Sequence, residues 1–257
     1  MTKSYKYIYG PVPSWRLGSS LGIDPLSKNV KACTLDCVYC QLGRTGFLTD
    51  KRRDFVQTAE IMEELNSLPA LEIDYITFSG TGEPTLAENI GEMIRKVKKA
   101  RKGKIAVLTN SSLLDSEDVQ KDLFPADFVV VKLDAPTDDV FESVNHPLKT
   151  IKLGNMIQAI KDFRSRYAGR LALQVMFIER NKKYAPEIVE IAKDINPDEI
   201  QLNTPLRPCR VKPLTKPEMD IVKAHFDGLN VISVYDTVKK TVKAISSEDT
   251  LRRRGKV

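Results

Sequence analysis

Three cysteines fall within one short stretch, Cys33-Thr-Leu-Asp-Cys37-Val-Tyr-Cys40. Three thiolates this close on one loop can bind three corners of an iron–sulfur cube, a cluster ordinarily held by four cysteines. A trio leaves one iron without a protein ligand, open to a substrate or cofactor. An exposed iron can coordinate a molecule and deliver an electron into it. The rival reading is a zinc site completed by Cys209, His146 or His225. Zinc sites pair close ligands as Cys-x-x-Cys and need a second pair downstream, which is missing here. With only 4 cysteines in the chain, a disulfide scaffold is excluded, and the odd trio points to metal in a reducing compartment.

A second segment with chemical potential is Ser79-Gly80-Thr81-Gly82-Glu83-Pro84, at the end of a predicted strand. Glycines there let the backbone approach a ligand closely. Parallel α/β folds bind ligands at the carboxyl ends of their strands. Taken alone, the segment is also an ordinary strand-to-helix turn, and Glu83 need not be a catalytic acid. Other strand ends carry polar residues: Asn110 after Thr109, Lys132 and Asp134, Gln174, and Gln201 with Asn203. Each of these is either a ligand contact or the cap of a helix or turn. Lys132 lies in an apolar run, where a lysine is costly unless paired or solvated, and Asp134 two residues on points to the same face. Cys209 reads as a packed residue or as a thiol acting late in a reaction. The runs Lys51-Arg52-Arg53 and Arg252-Arg253-Arg254 are either phosphate contacts or solvated faces.

These residues must be positioned by a chain of 257 residues, 42% of them apolar and 29% charged. That composition supplies a large core and excludes general disorder. The net charge of +6 suits a polyanionic partner without requiring one. No apolar run is long enough to span a bilayer, and the opening lacks the pattern of a secretory signal, so a cytoplasmic enzyme is expected. Strand patterns at Ile73–Ser79, Ile105–Leu108, Phe128–Leu133, Leu171–Ile178 and Glu199–Leu202 alternate with helical ones. The helices are read at Glu88–Lys99, after Asp115 or Ser116, at Ile151–Tyr167 and at Pro186–Ile195. Beyond a proline-rich stretch, Thr215 with Glu218 makes a capping box, and Val231–Val234 is a last strand. Such alternation implies parallel strands joined by right-handed crossovers.

The Cys-x-x-x-Cys-x-x-Cys spacing, with Tyr39 before the last cysteine, resembles the radical S-adenosylmethionine (radical SAM) superfamily. The resemblance extends through Tyr9-Gly-Pro-Val-Pro-Ser-Trp-Arg-Leu-Gly18, Phe78-Ser-Gly-Thr-Gly-Glu-Pro-Thr85, Lys132-Leu-Asp-Ala135 and Gln201-Leu-Asn-Thr-Pro205. These segments are similar to a subgroup that includes the wyosine-base synthases of tRNA and related Fe-S oxidoreductases. The resemblance implies an α/β fold, a partial parallel (β/α)6 TIM-barrel-like core at residues 25–208, with an N-terminal arm at 1–24 and an extension at 209–257. It implies that Cys33, Cys37 and Cys40 hold a 4Fe-4S cluster whose open iron binds SAM. Reduction then cleaves SAM to a 5′-deoxyadenosyl radical that abstracts hydrogen from a substrate.

By the same resemblance, Tyr39 lies near the adenine and Gly80, Thr81, Gly82 and Glu83 meet the methionine part. Asn110, Lys132, Asp134, Gln174 and Asn203 contact SAM or line the substrate cavity, while Arg16 and Arg44 suit anionic groups. An electron donor of flavodoxin or ferredoxin type is implied. RNA, tRNA above all, is the leading substrate class. A partner protein, modified as by a glycyl-radical activase, and a small molecule are the alternatives, and a zinc-stapled RNA-binding module is the non-enzyme rival. The wyosine synthases carry further cysteines for a second cluster. None precedes Cys33 here, so the resemblance reaches the initiating chemistry and not the substrate.

Overall fold

Alternating side chains give a strand two faces, and helical stripes give each helix one apolar side to lay on a sheet. A computed structural model describes residues 4–237 and 240–254. It opens with β1 (Ile8–Ser14) and β2 (Gly18–Ile23), then the short strands β3 (Ala32–Cys33) and β4 (Phe47–Leu48) and helix α1 (Thr58–Asn66). Alternation follows: β5 (Tyr75–Phe78), α2 (Ile90–Ala100), β6 (Lys104–Thr109), α3 (Glu117–Leu123) and β7 (Phe128–Lys132). Next come α4 (Asp138–Asn145), α5 (Leu153–Arg166), β8 (Arg170–Met176), α6 (Ala185–Ile195) and β9 (Glu199–Asn203). The chain continues into α7 (Lys216–Ala224), β10 (Val231–Ser233) and α8 (Ser247–Arg254). No helix among the described residues is long and apolar enough to cross a membrane.

One sheet runs in the order β1-β2-β5-β6-β7-β8-β9-β10 and curls into a half-barrel. All its neighbours pair parallel except β1, which is antiparallel to β2. Register separates the two faces. Phe78, Val107, Val129 and Leu171 lie side by side on the outer face, buried with the helix stripes in the main core. The inner face changes character along the strands. Toward the amino ends, Ala106, Phe128, Val130 and Ala172 join Leu17 in a small apolar cluster. Toward the carboxyl ends, Lys132, Gln174 and Gln201 form a polar row across β7, β8 and β9. The inside of the curl thus has an apolar floor and a polar mouth.

Before Cys33 the sequence offers two placements for the first barrel strand, Ser20–Ile23 and Val30–Ala32, and the first parallel strand is β2, the former. The other, near Val30–Ala32, yields only β3, which pairs with β4 in a separate ribbon. The basic runs differ from a phosphate-gripping surface. Arg52 donates to the carbonyls of Thr85 and Ala87 at 2.9 and 3.2 Å and pairs with Asp122 at 2.5 Å. Arg53 lies over the rings of Phe47 and Phe55, 5.0 and 4.7 Å from their centroids. Arg253 is buried and donates to the carbonyls of Lys6 and Asp249. Arg52 and Arg253 thus fold inward onto backbone carbonyls, and Arg53 onto aromatic faces.

Candidate functional site

The cysteine loop leaves β3 at Cys33 and is docked by its backbone onto the end of α4. Asp36 N donates to the Asn145 carbonyl at 3.0 Å and Val38 N to that of Val144 at 2.9 Å, and a turn closes where Cys40 N meets the Cys37 carbonyl at 3.0 Å. Arg210, beyond β9, donates to the Cys37 carbonyl at 3.1 Å. Cys33 and Cys37 are buried and Cys40 partly so. All three line one cavity of about 160 Å³ at the carboxyl ends of the strands, together with Lys31, Tyr39, Gly82, Glu83, Asn110, Lys132 and Gln174.

Two carboxamides point at the sulfurs: Asn110 Nδ2 lies 3.4 Å from Cys33 Sγ, and Asn145 Nδ2 lies 3.4 Å from Cys37 Sγ. Burial, with the Glu83 charge adding to it, pushes the Cys33 thiol up to about 12, and burial raises Cys37 as well. Lys31 is pulled down by burial, but the sulfurs of Cys40 and Cys33 outweigh this and leave it above the ordinary lysine value. At Cys33 and Cys37 burial thus favours the neutral thiol.

The glycine turn is shaped by close packing. Gly80 has φ +146°, and a methyl group there would strike the Asp24 carboxyl. A methyl on Gly82 would run into the carbonyl oxygen of Ala32, the residue before Cys33. Glu83 N donates to that same oxygen at 3.0 Å, so the turn lies flush against the cysteine strand. Asp24, 1% exposed, accepts from Thr81 N at 3.1 Å, Thr81 Oγ1 at 2.8 Å, Leu26 N at 3.1 Å and Ser27 N at 3.0 Å. Glu83 is spent structurally. Its carboxylate accepts from Thr85 N and Oγ1 at 3.1 and 2.7 Å, Thr109 Oγ1 at 2.7 Å and Asn110 N at 2.7 Å. It ties the end of β5 to the end of β6. Burial raises its pKa, as it does that of Asp24.

Lys132 meets the cost of its position through partners. Its Nζ donates to the Tyr39 hydroxyl at 2.6 Å, sits 4.3 Å from the Tyr39 ring centroid and lies 3.4 Å from Asp134. The Tyr39 hydroxyl donates to Asp134, which also accepts from Asn145 Nδ2 at 2.8 Å and Met176 N at 2.8 Å. Burial and the Asp134 charge hold the Tyr39 hydroxyl well above its ordinary value.

The fold therefore brings Cys33, Cys37, Cys40, Tyr39, Gly82, Glu83, Asn110, Lys132 and Gln174 to one cavity. Gly80 and Thr81 stand behind it on Asp24, and Asp134 stands behind Tyr39 and Lys132. Asn203 ends β9, where its carbonyl accepts from Phe177 N at 2.7 Å, and it does not line the cavity. Cys209 donates to the Val211 carbonyl at 3.1 Å, and His146 and His225 cap α4 and α7. Among the described residues, no three His, Cys, Asp or Glu side chains close around one ion-sized point. Asp24, Lys31 and Asn145 complete the site without having been singled out in the sequence. For Lys31, its place two residues before Cys33 is the signal that was there to use.

A family model described as the radical SAM superfamily matches residues 30–201. A UPF0026 protein of Synechocystis sp. is 40% identical over 217 residues, covering 84% of this chain and 80% of its own length. A Brachyspira hyodysenteriae protein named GTPase Obg is 35% identical over 259 residues, covering 96% of this chain, which spans 38% of that protein. Among solved structures, TYW1 with a lysine–pyruvate adduct bound matches with a TM-score of 0.64 and 17% identity, covering 81% of this chain and 72% of that one. The last likeness is one of fold.

Proposed function

The chain belongs to the radical SAM superfamily, beside the UPF0026 proteins, and is an enzyme; from that premise we propose that Cys33, Cys37 and Cys40 hold a 4Fe-4S cluster and that SAM binds in the cavity beside them. The observation that carries the reading is the donor set itself. Three thiols share one cavity wall with the glycine turn, and the fourth cysteine is engaged elsewhere, on Val211. That set fits a cluster with one iron left for a non-protein ligand. It does not fit the zinc module, whose completing ligands lie outside the cavity. When bound, the cluster would supply the electron that cleaves SAM to methionine and a 5′-deoxyadenosyl radical.

The chain's own residues have distinct tasks in this proposal. Asn110 and Asn145 hold N–H donors toward Cys33 and Cys37, orienting two of the sulfurs. Glu83 locks β5 to β6 and leaves the backbone of Gly82 facing the cavity, against which the methionine part of SAM rests. Tyr39, anchored by Lys132 and Asp134, forms the wall for the adenine. Asn110 and Gln174 present polar groups to the rest of the cofactor. An electron donor of the flavodoxin or ferredoxin class is required. The RNA reading rests on the resemblance to tRNA-modifying enzymes; of the basic runs, Arg52, Arg53 and Arg253 are committed inside the fold and add nothing to it.

The test uses protein purified without oxygen, with iron and sulfide assayed and 5′-deoxyadenosine measured after dithionite and SAM are added. Wild type should carry about four irons and form 5′-deoxyadenosine slowly without substrate. Ala at Cys33, Cys37 or Cys40 should abolish both. Cys209→Ala should keep both, and its loss of iron would indicate a closed four-cysteine site and overturn the proposal.

A further inference from the structure

The inside of the half-barrel holds more positive charge than its carboxylates answer. Arg16, in the turn between β1 and β2, has Nε and Nη1 buried without a hydrogen-bond partner. Leu17 beside it belongs to the apolar floor with Phe128 and Val130, so this turn folds into the curl. The Arg16 guanidinium lies 5.4 Å from the centroid of the Trp15 ring, and the groups that act on its charge are Arg207, Arg254, Glu199 and Tyr9. Glu199 is already taken, by Arg170 Nη2 at 2.5 Å and by Gln201 Nε2 at 2.7 Å. Arg207 follows β9 and donates to the carbonyl of Arg254, the last residue of α8. Among the described residues, no carboxylate comes within 4.0 Å of the guanidinium of Arg16, Arg207 or Arg254. Burial, then mutual repulsion, pulls Arg16 and Arg207 down to about 10, which still leaves them cationic at neutral pH.

Three partly buried cations from three separate elements repel one another, a repulsion that an anion between them would relieve. The cluster is also well placed. Arg207 and Arg254 act on Tyr9, whose hydroxyl meets Ser79 Oγ at 2.6 Å, next to the glycine turn, and Arg207 acts on Cys40 as well. On the same inner face, Gln201 Oε1 is buried without a donor. Unpartnered donors and an unpartnered acceptor thus share one interior, chemistry that suits a polar ligand.

We propose that the interior of the half-barrel binds the phosphate group of a small-molecule substrate through Arg16, Arg207 and Arg254, holding the rest of that substrate toward the cysteine loop. Phosphate is favoured over carboxylate by charge and shape. It carries nearly two negative charges and three acceptor oxygens, and guanidinium forks match it in pairs. A small molecule is favoured over RNA because Arg16 donates from inside the curl, while a nucleic-acid backbone needs an outward basic surface. The inference rests on the radical SAM reading for what happens to the substrate, but the anion site stands on its own.

The experiment titrates the full-length protein with inorganic pyrophosphate in phosphate-free buffer, by calorimetry. One saturable site is expected. Arg16→Gln and Arg207→Gln should weaken it about tenfold or more, the loss of a charge-assisted contact, and Arg16→Lys should recover part. Arg252→Gln, on the exposed side of α8, should bind like wild type. Because Arg16 also packs in the fold, the unfolding midpoint is followed in parallel: pyrophosphate should raise it in wild type and not in Arg16→Gln. The proposal is overturned if wild type shows no saturable binding, or if Arg16→Gln binds equally well. It is equally overturned if malonate binds as tightly as pyrophosphate, if SAM displaces pyrophosphate, or if a short RNA hairpin displaces it more effectively than added phosphate does. Substrate-free 5′-deoxyadenosine formation separates the two readings. Its presence without pyrophosphate binding sinks only the anion site, and the reverse sinks only the cluster assignment.

Discussion

At Gly82 a single carbon decides whether the site can assemble. The atom a methyl would meet is a backbone carbonyl, that of Ala32, which cannot swing aside as a side chain can. Gly82→Ala is therefore expected to destabilise by more than about 4 kcal/mol or to part the turn from the cysteine strand, with iron lost in either case. Gly154, exposed in the first turn of α5 with nothing within 4 Å of an added methyl, is the counter-example. Gly154→Ala should stabilise by about 0.5–1 kcal/mol, and urea unfolding of the two variants checks both signs. Asn145→Ala removes donors from Cys37, Tyr39 and Asp134 at once, and iron retention should fall about 10–100-fold in a chelator challenge. Legibility at this scale follows locality. Lys132 and Asp134 announce themselves because a lysine in an apolar strand demands a partner two residues away. Asn145 reaches Cys37 across 108 positions and Asp24 reaches Thr81 across 57, distances over which a single sequence carries no pattern.

Elements were readable where an apolar period was long enough to count. The stripes of α2, α5 and α6 bury Ile94, Ile160 and Ile188, while Ile157, read as inside, is only partly buried. Helix α4 escaped notice because it has only 8 residues, opens on Asp138-Asp139 and stops at His146 in the left-handed region. Strand β1 lies within the expected N-terminal arm, where Gly10, Pro11 and Pro13 interrupt any strand pattern. Prolines of this kind are tolerated on an edge strand, which β1 is. The capping box of α7 was legible and is formed: Thr215 Oγ1 and N both reach Glu218, which also pairs with Lys182 at 2.8 Å. Thr215→Ala should cost about 1 kcal/mol in urea unfolding. The Lys182 contact and the Thr215 donors hold the Glu218 carboxyl down to about 2. A lowered carboxyl contributes stability at neutral pH and loses it as pH falls through its folded value, because the unfolded chain takes up the proton first. The stability gap between wild type and Glu218→Gln should accordingly shrink as pH falls from about 5 toward about 2.

Across the whole molecule, the two ends of the described chain brace the site. Helix α8 packs on β1, where Gly10 N donates to Thr250 Oγ1 at 3.0 Å, and Asp249 accepts from Tyr5 N at 2.9 Å. From this helix Arg253 reaches the Lys6 carbonyl and stands 4.0 Å from Asp24. Asp24 holds Thr81, the turn at Gly82 meets Ala32, and Ala32 leads into Cys33. A chain of contacts thus runs from the last helix to the first sulfur. The Arg252–Arg254 run, which composition offers as a phosphate grip, serves different ends residue by residue: Arg252 is exposed, Arg253 is structural and Arg254 faces the interior cluster. Arg253→Ala leaves the buried Asp24 without its cation and the Lys6 carbonyl with the Ser27 hydroxyl as its remaining donor. The expected loss is about 3 kcal/mol, or roughly 5–10 °C in unfolding midpoint for a chain of this size. Because Asp24 positions the glycine turn, the same variant should also lose iron during anaerobic purification, whereas Arg252→Ala should change neither quantity. Equal midpoints for the two variants would mean that α8 lies on the barrel without bracing it, and that the glycine turn is held by β5 and β6 alone.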